Sequence, residues 1–227
     1  MRNFVITCDH PRGRRRGTAP DSRDTLLDAA GDVFRHKGVS GGTIREIPTQ
    51  AGLSGTMIYY HFGGKDGLAC ALAALACHDL LFALNAWDAD KTLPLSGARL
   101  RSLASLLRDH LGEGSTLGCL LRDPTVKRFH RLKERLDRGQ EDVLGSLRGL
   151  LVTGQQSGAI RQDLDLDGIC RWALSQAARH PFQGAVPELL PSALTLAEKS
   201  WHETLWRAVA RNPLANHRTG QDANILP

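Results

Sequence analysis

From Leu26 to Val209 the apolar residues return every three or four positions, and they almost never alternate. That period belongs to helices packed through one face, whereas alternation belongs to half-buried strands. Runs of β-branched residues are few, and no Asn-Gly hairpin turn interrupts them. The chain is therefore expected to be all-α. Leu26, Leu27, Ala30, Val33 and Phe34 make a first stripe, and Leu68, Leu72, Leu75, Leu80, Leu81 and Leu84 a second. Leu100, Leu103, Leu106, Leu107 and Leu111 make a third. Val126, Phe129, Leu132 and Leu136 lead into Leu144, Leu147, Leu150 and Leu151. Ile169, Trp172, Ala173 and Gln176 follow, and the last stripe runs from Leu194 through Trp201 to Val209. With 41% hydrophobic residues in 227, there is ample material for a core. That argues against a disordered chain.

Punctuation places the first helices. Asp21 or Ser22 can cap the first helix, which has acidic Asp24 in its first turn, and Gly38 can supply a left-handed stop. Thr43-Ile44-Arg45-Glu46 has the capping-box form, predicting a helix from there to Ala51 with Gly52 as its end. Ser54 can cap a second short helix to Phe62. Two short helices around a glycine form a helix-turn-helix. Lys65 opens a long helix that is apolar nearly all round and is expected to be buried. Asp123-Pro124 reads as a cap followed by an N1 proline, starting a charged helix. Gly139, Gly145 and Gly149 stand as weak points within the helical run that follows.

Charge is placed unevenly. Up to Lys65 there are ten Lys/Arg against six Asp/Glu; beyond it, nineteen against eighteen. An anionic partner at the N-terminal end is the first functional hint. Arg12, Arg14, Arg15 and Arg16 lie in a Pro/Gly-flanked arm, residues 1–21. A solvated tail and an arm laid on DNA both remain open for it.

The residues from Arg23 to Leu68 make the partner specific. Leu27-Asp28-Ala29-Ala30, Thr43-Ile44-Arg45-Glu46-Ile47, Ala51-Gly52-Leu53-Ser54, Ile58-Tyr59-Tyr60-His61-Phe62 and Lys65-Asp66-Gly67-Leu68 follow one another at short intervals. This run resembles the DNA-binding domain of tetracycline-repressor-like (TetR) bacterial regulators. The resemblance implies a helix-turn-helix domain over residues 22–67, an all-helical effector-binding and dimerisation domain over 68–211, and a tail over 212–227. It also implies a one-component repressor that leaves a palindromic operator in double-stranded DNA when a small, largely apolar effector binds. Gly158-Ala159-Ile160-Arg161 is similar to the family's C-terminal domain. One departure stands out: Pro48 occupies a position where the family commonly has alanine. A proline inside a helix started at Thr43 would cost ~3 kcal/mol, so that helix begins later or kinks.

In such a domain the second motif helix enters the major groove. Ser54 and Gly55 start it. Thr56 can bond a base or phosphate, and Met57 can touch a thymine methyl. Tyr60, His61, Lys65, Thr43 and Arg45 are expected on the phosphate backbone, with Tyr59 packing partly inside. Phe34, Ile47 and Phe62 are expected in the core. A single recognition helix reads few base pairs, so a homodimer is expected on independent grounds. Its interface is expected at Ile169–Gln176 and Leu194–Val209, with Trp201 and Trp206 as anchors. An effector pocket is expected between the middle helices, lined by Phe82, Trp87, Leu103, Leu107, His110, Phe129 and Trp172.

Other classes lack support in the sequence. There is no nucleophile elbow, P-loop, dinucleotide glycine pattern or His-Glu-x-x-His. No enzyme activity, metal or cofactor is expected. Asp163, Asp165 and Asp167 alternate as in a calcium loop, but the loop's glycine and closing glutamate are missing. Five widely spaced cysteines without Cys-x-x-Cys suggest a reducing compartment, taken as the cytoplasm, rather than a disulfide framework or structural zinc. No run of ~18 uncharged apolar residues is seen, so no membrane span is expected.

Overall fold

The structure, a computed structural model, describes residues 21–89, 95–178 and 206–211 except 208. It is all-α, an N-terminal helix-turn-helix followed by a helical bundle. The helices are α1 (Ser22–Gly41), α2 (Glu46–Gln50), α3 (Thr56–Phe62), α4 (Lys65–Ala89) and α5 (Gly97–Leu111), then α6 (Thr116–Arg122), α7 (His130–Gln156) and α8 (Leu166–Ala178). The arm, the tail and Trp201 lie outside the described residues.

The side chain of Asp21 accepts from the Arg23 amide at 3.2 Å and caps α1 as expected. Its apolar stripe, with Leu26, Leu27, Ala30, Val33 and Phe34, is buried. Gly38 takes the left-handed conformation, φ 70°. The helix kinks there and adds a last turn to Gly41 instead of stopping.

The second motif helix boundary differs from the capping-box expectation. The Thr43 hydroxyl does accept from the Glu46 amide at 3.1 Å. Regular helix nevertheless starts only at Glu46, and the Glu46 carboxylate pairs with Lys37 on α1 rather than turning back to Thr43. Pro48 explains the shift. As third residue of a five-residue helix it sits among the amides that have no helical acceptor in any case, so its missing N–H costs no bond. Pro48→Ala should therefore change stability in urea unfolding by less than about 1 kcal/mol. A gain near ~3 kcal/mol would place the proline inside a longer helix.

Asp123 caps as predicted, accepting from the Thr125 amide at 2.8 Å. Pro124–Arg128 forms a 3₁₀ turn, however, and α7 begins only at His130, after Phe129 leaves helical geometry. The short α6, capped by Ser115, was hidden in the sequence by its flanking glycines. Asp165 accepts from the Gly168 amide at 3.2 Å, at the start of α8, and Asp163 pairs with Arg161. No group of three or more metal-ligating side chains occurs among the described residues.

The bundle is organised around α4 and α7, which make its most extensive helix–helix contact. Leu68, Leu72, Leu80 and Leu84 meet the face of α7 that carries Leu132, Leu136 and Val143. Gly139 is buried at that crossing: a Cβ there would stand 2.3 Å from the Cys77 sulfur. Its missing side chain lets the two backbones approach, so it is a packing requirement rather than a weak point. Gly145 and Gly149 are exposed, with nothing within 4 Å of a built Cβ. Gly145→Ala and Gly149→Ala should each raise stability by about 0.5–1 kcal/mol, read as a higher Tm. A loss at either position would mean that the outer face of α7 is covered in solution.

At 25 residues, α4 is long and apolar enough to cross a membrane by length and composition alone, contrary to the expectation that no such stretch exists. Here it packs through Leu68, Leu72, Cys77, Leu80 and Leu84, and Asp66, His78, Asp79 and Asp88 interrupt its apolar surface. It is less buried than its composition predicts: Leu75 and Leu81 are half-covered, and Phe82 is 67% exposed beside the His78 ring. The described cysteines are free thiols. Burial pushes the thiols of Cys70 and Cys77 up to about 11 and that of Cys170 up to about 12, which makes them poor nucleophiles at neutral pH.

Candidate DNA-binding surface

The turn between α2 and α3 is built on Gly52, at φ 67°, and closed by the Leu53 amide donating to the Pro48 carbonyl at 2.8 Å. Ile47 and Ile58, both fully buried, pin the two helices to α1 and the start of α4. That anchorage fixes which face of α3 is left outside. Tyr60 is 81% exposed and Tyr59 60%, so Tyr59 does not pack inside as expected. Ser54, Gly55 and Thr56 are exposed at the start of the helix, with the hydroxyls of Ser54 and Thr56 2.9 Å apart. Met57 is half-buried against the core, which leaves only part of its side chain for a partner. Thr43 and Arg45 are exposed just before α2.

Two expected contact residues are already engaged within the protein. His61 Nε2 lies 2.8 Å from the Ser22 hydroxyl, and the His61 ring meets the Tyr60 ring edge-on at 4.9 Å. The Lys65 ammonium donates to the Ser40 carbonyl at 3.0 Å. Burial lowers the Lys65 pKa, and the Asp123 carboxylate opposes that shift. Phe62 is half-buried rather than core, with the Arg23 guanidinium 5.5 Å above its ring. The start of α1 therefore holds the end of α3. Nothing in the sequence marked Ser22 or Arg23 for this task, because the partners are far apart along the chain.

Glu46–Lys37 and Gln50–Asp32 join α2 to α1 across the back of the motif. The side facing away from them carries hydroxyls, phenols and one guanidinium. That is a surface of hydrogen-bond donors set on rigid helices, and it suits an array of phosphates and base edges.

Residues 26–72 match the family described as bacterial regulatory proteins of the tetR family. Over 156 residues, 67% of this chain and 72% of the relative, the sequence is 29% identical to the HTH-type transcriptional repressor NicS of Pseudomonas putida. The chain belongs to the TetR family. The TetR-family fold extends through the bundle. The fatty acid degradation regulator FadR from Bacillus halodurans superposes with a TM-score of 0.63 at 15% identity, over 88% of this chain and 98% of that one. FadR from Bacillus subtilis, solved with stearoyl-CoA, gives 0.56 at 20% identity over 69% and 83%. At such identities these two likenesses are likenesses of fold.

Within this TetR-family bundle the expected effector residues are scattered. Leu103, Leu107 and Trp172 are buried. Trp87, His110 and Phe129 are half-buried, and Phe82 is on the surface. Trp87 donates to the Ser102 hydroxyl at 2.8 Å and lies under the Arg99 guanidinium, while His110 Nδ1 lies 2.9 Å from the Leu106 carbonyl. An apolar crevice among α4, α6 and α7 touches Cys77, Leu80, Leu117, Leu136 and Val143, and none of the expected seven lines it. Its volume is about 10 Å³, room for about one water. Ile169, Trp172 and Ala173, expected at a dimer interface, are buried within the single chain, while Gln176 is exposed. Trp206 is half-buried and packs near Gly97.

Proposed function

We propose that this TetR-family transcriptional regulator is a one-component repressor. It binds a palindromic operator as a homodimer and leaves it when a small, largely apolar effector enters the bundle. The observation that carries the reading is the exposed face of α3. Thr56, Tyr59 and Tyr60 stand on a helix whose other side is locked by Ile58, with Thr43 and Arg45 beside it. Thr56 and Met57 read base edges, while Tyr60, Lys65, Thr43 and Arg45 hold phosphate. Its work on chromosomal DNA places it in the cytoplasm.

Residues 22–67 form the reading head and 68–211 the sensor. The effector separates α4 from its neighbours around Leu103, Leu107 and Trp172, widening a bundle that is nearly closed without it. Because α4 carries Lys65 at one end and the sensor core along its length, tilting it moves the two recognition helices of the dimer out of register. NicS, a repressor, supports the sign of regulation.

Selection of duplexes from a random pool by the purified protein tests this directly. A two-fold symmetric consensus is expected, with half-sites about one helical turn apart or a multiple of it. Recovery of unrelated sequences with no symmetry would overturn the reading. Substitutions at Thr56 or Met57 should change which bases are enriched.

A further inference from the structure

The end of α6 is where the two parts of the molecule are bolted together, and it uses two adjacent side chains that face opposite ways. Arg122 Nη1 donates to the Leu111 carbonyl at 3.2 Å and to the Ala178 carbonyl at 2.9 Å. Its Nη2 donates to the Gly112 carbonyl at 3.1 Å. One guanidinium thus closes the C-terminal ends of α5 and α8, where carbonyls lack helical partners. Asp123, the next residue, faces the reading head. Its Oδ2 accepts from the Val39 amide at 2.6 Å, immediately after the α1 kink. Its Oδ1 is held by the Thr125 amide and hydroxyl at 2.8 and 2.6 Å. At Gly38 a Cβ would stand 3.0 Å from the same carboxylate, so the kink is shaped to admit it. Arg35 on α1 adds a bond to Thr116 at the other end of α6, 3.0 Å long.

We propose that the Arg122–Asp123 pair is a regulatory coupler. Arg122 reads whether the ends of α5 and α8 stand together, and Asp123 passes that reading to α1 through Val39. Neither residue touches DNA or effector; both are positioning residues. This rests on the reading of the protein as an effector-controlled DNA binder, and it adds a route through α6 beside the one through α4. When the ends of α5 and α8 part, the guanidinium loses its shared seat and the Asp123 backbone is no longer fixed. The Val39 amide is then released, and with it the angle of the last turn of α1, against which α2 is packed.

Hydrogen exchange on the full chain tests the coupler without DNA or effector. Arg122→Gln and Arg122→Lys both keep a donor but cannot bridge three carbonyls. Each should speed exchange of the Val39 amide roughly tenfold, as one lost hydrogen bond does. The slowest amides of α7 should exchange as in the unaltered protein. Asp123→Asn should speed Val39 similarly, and combining it with Arg122→Gln should add nothing further at Val39. Unchanged Val39 exchange in both Arg122 variants, with faster exchange only at the ends of α5 and α8, would overturn the proposal. So would equal acceleration throughout α7, which marks global loosening. A failed operator selection with coupled exchange intact would count against the DNA reading alone.

Discussion

Tyr60→Ala and Lys65→Ala are each expected to weaken duplex binding about tenfold, and by the same factor on every sequence tested. Tyr60 is the most exposed large side chain of α3, and no packing role explains a phenol left 81% open at that place. A hydroxyl donating to a phosphate is a bond to a charged acceptor, which is worth more than a neutral one. Lys65 should show a second mark that Tyr60 lacks. Removing its ammonium should flatten the slope of log affinity against log salt by about 0.9, the counterion release of one phosphate contact. Its bond to the Ser40 carbonyl provides the rival account. If Lys65 serves only to tie α4 to the loop after α1, alanine will lower stability and leave the salt slope as it was. Fluorescence anisotropy over a salt series, with thermal melts of the same samples, separates the two. A change in base preference at either position would contradict the phosphate role.

Gly139→Val is expected to lower stability by on the order of 3 kcal/mol, a fall in Tm of roughly 10 °C for a chain of this size. The first added carbon would already stand 2.3 Å from the Cys77 sulfur and 3.1 Å from its Cβ, and valine adds two more. No rotamer on a helix takes that bulk away from the seam, so α4 and α7 must move apart along a contact that organises the bundle. Gly145→Val is the control, because that position opens to solvent and only the modest helix preferences of glycine and valine differ there. Equal melting temperatures for the two variants would mean that α4 and α7 do not cross closely at Gly139. Cys77→Ala should recover part of the loss in Gly139→Ala, since it removes the nearer of the two colliding atoms.

Much of the architecture could be read from local chemistry. The stripe from Leu26 to Phe34, the cap at Asp21, the left-handed Gly38 and the cap at Asp123 depend on residues within a few positions of one another, and the structure has them. So has the motif from Glu46 to Phe62, including the late start that Pro48 demanded. The misreadings are long-range. His61 looked like a phosphate contact because nothing nearby in sequence predicts Ser22 beside it. Trp172 fell on a stripe that suits an interface or a pocket equally, and burial inside one chain satisfies the same pattern. Phe82 belongs by period to an apolar helix, yet it faces out because α4 has more apolar perimeter than its neighbours cover. Gly139 looked like a flaw because the reason for it, Cys77, lies on another helix. A periodic pattern says that a face is covered, and only the packed chain says by what.

The two helices of the reading head are five and seven residues long. Isolated helices shorter than ~12–15 residues are marginal in water, because the first turn fixes several dihedrals for one bond. Neither can persist outside this setting; Ile47, Ile58, Ser22 and Arg23 hold them in shape. The recognition element is therefore not a portable part. Transplanting residues 54–62 into a related regulator would carry the letters without the frame that orients them. A change of operator specificity is better sought by exchanging the outward residues Thr56, Tyr59 and Tyr60 in place, on a scaffold that stays whole.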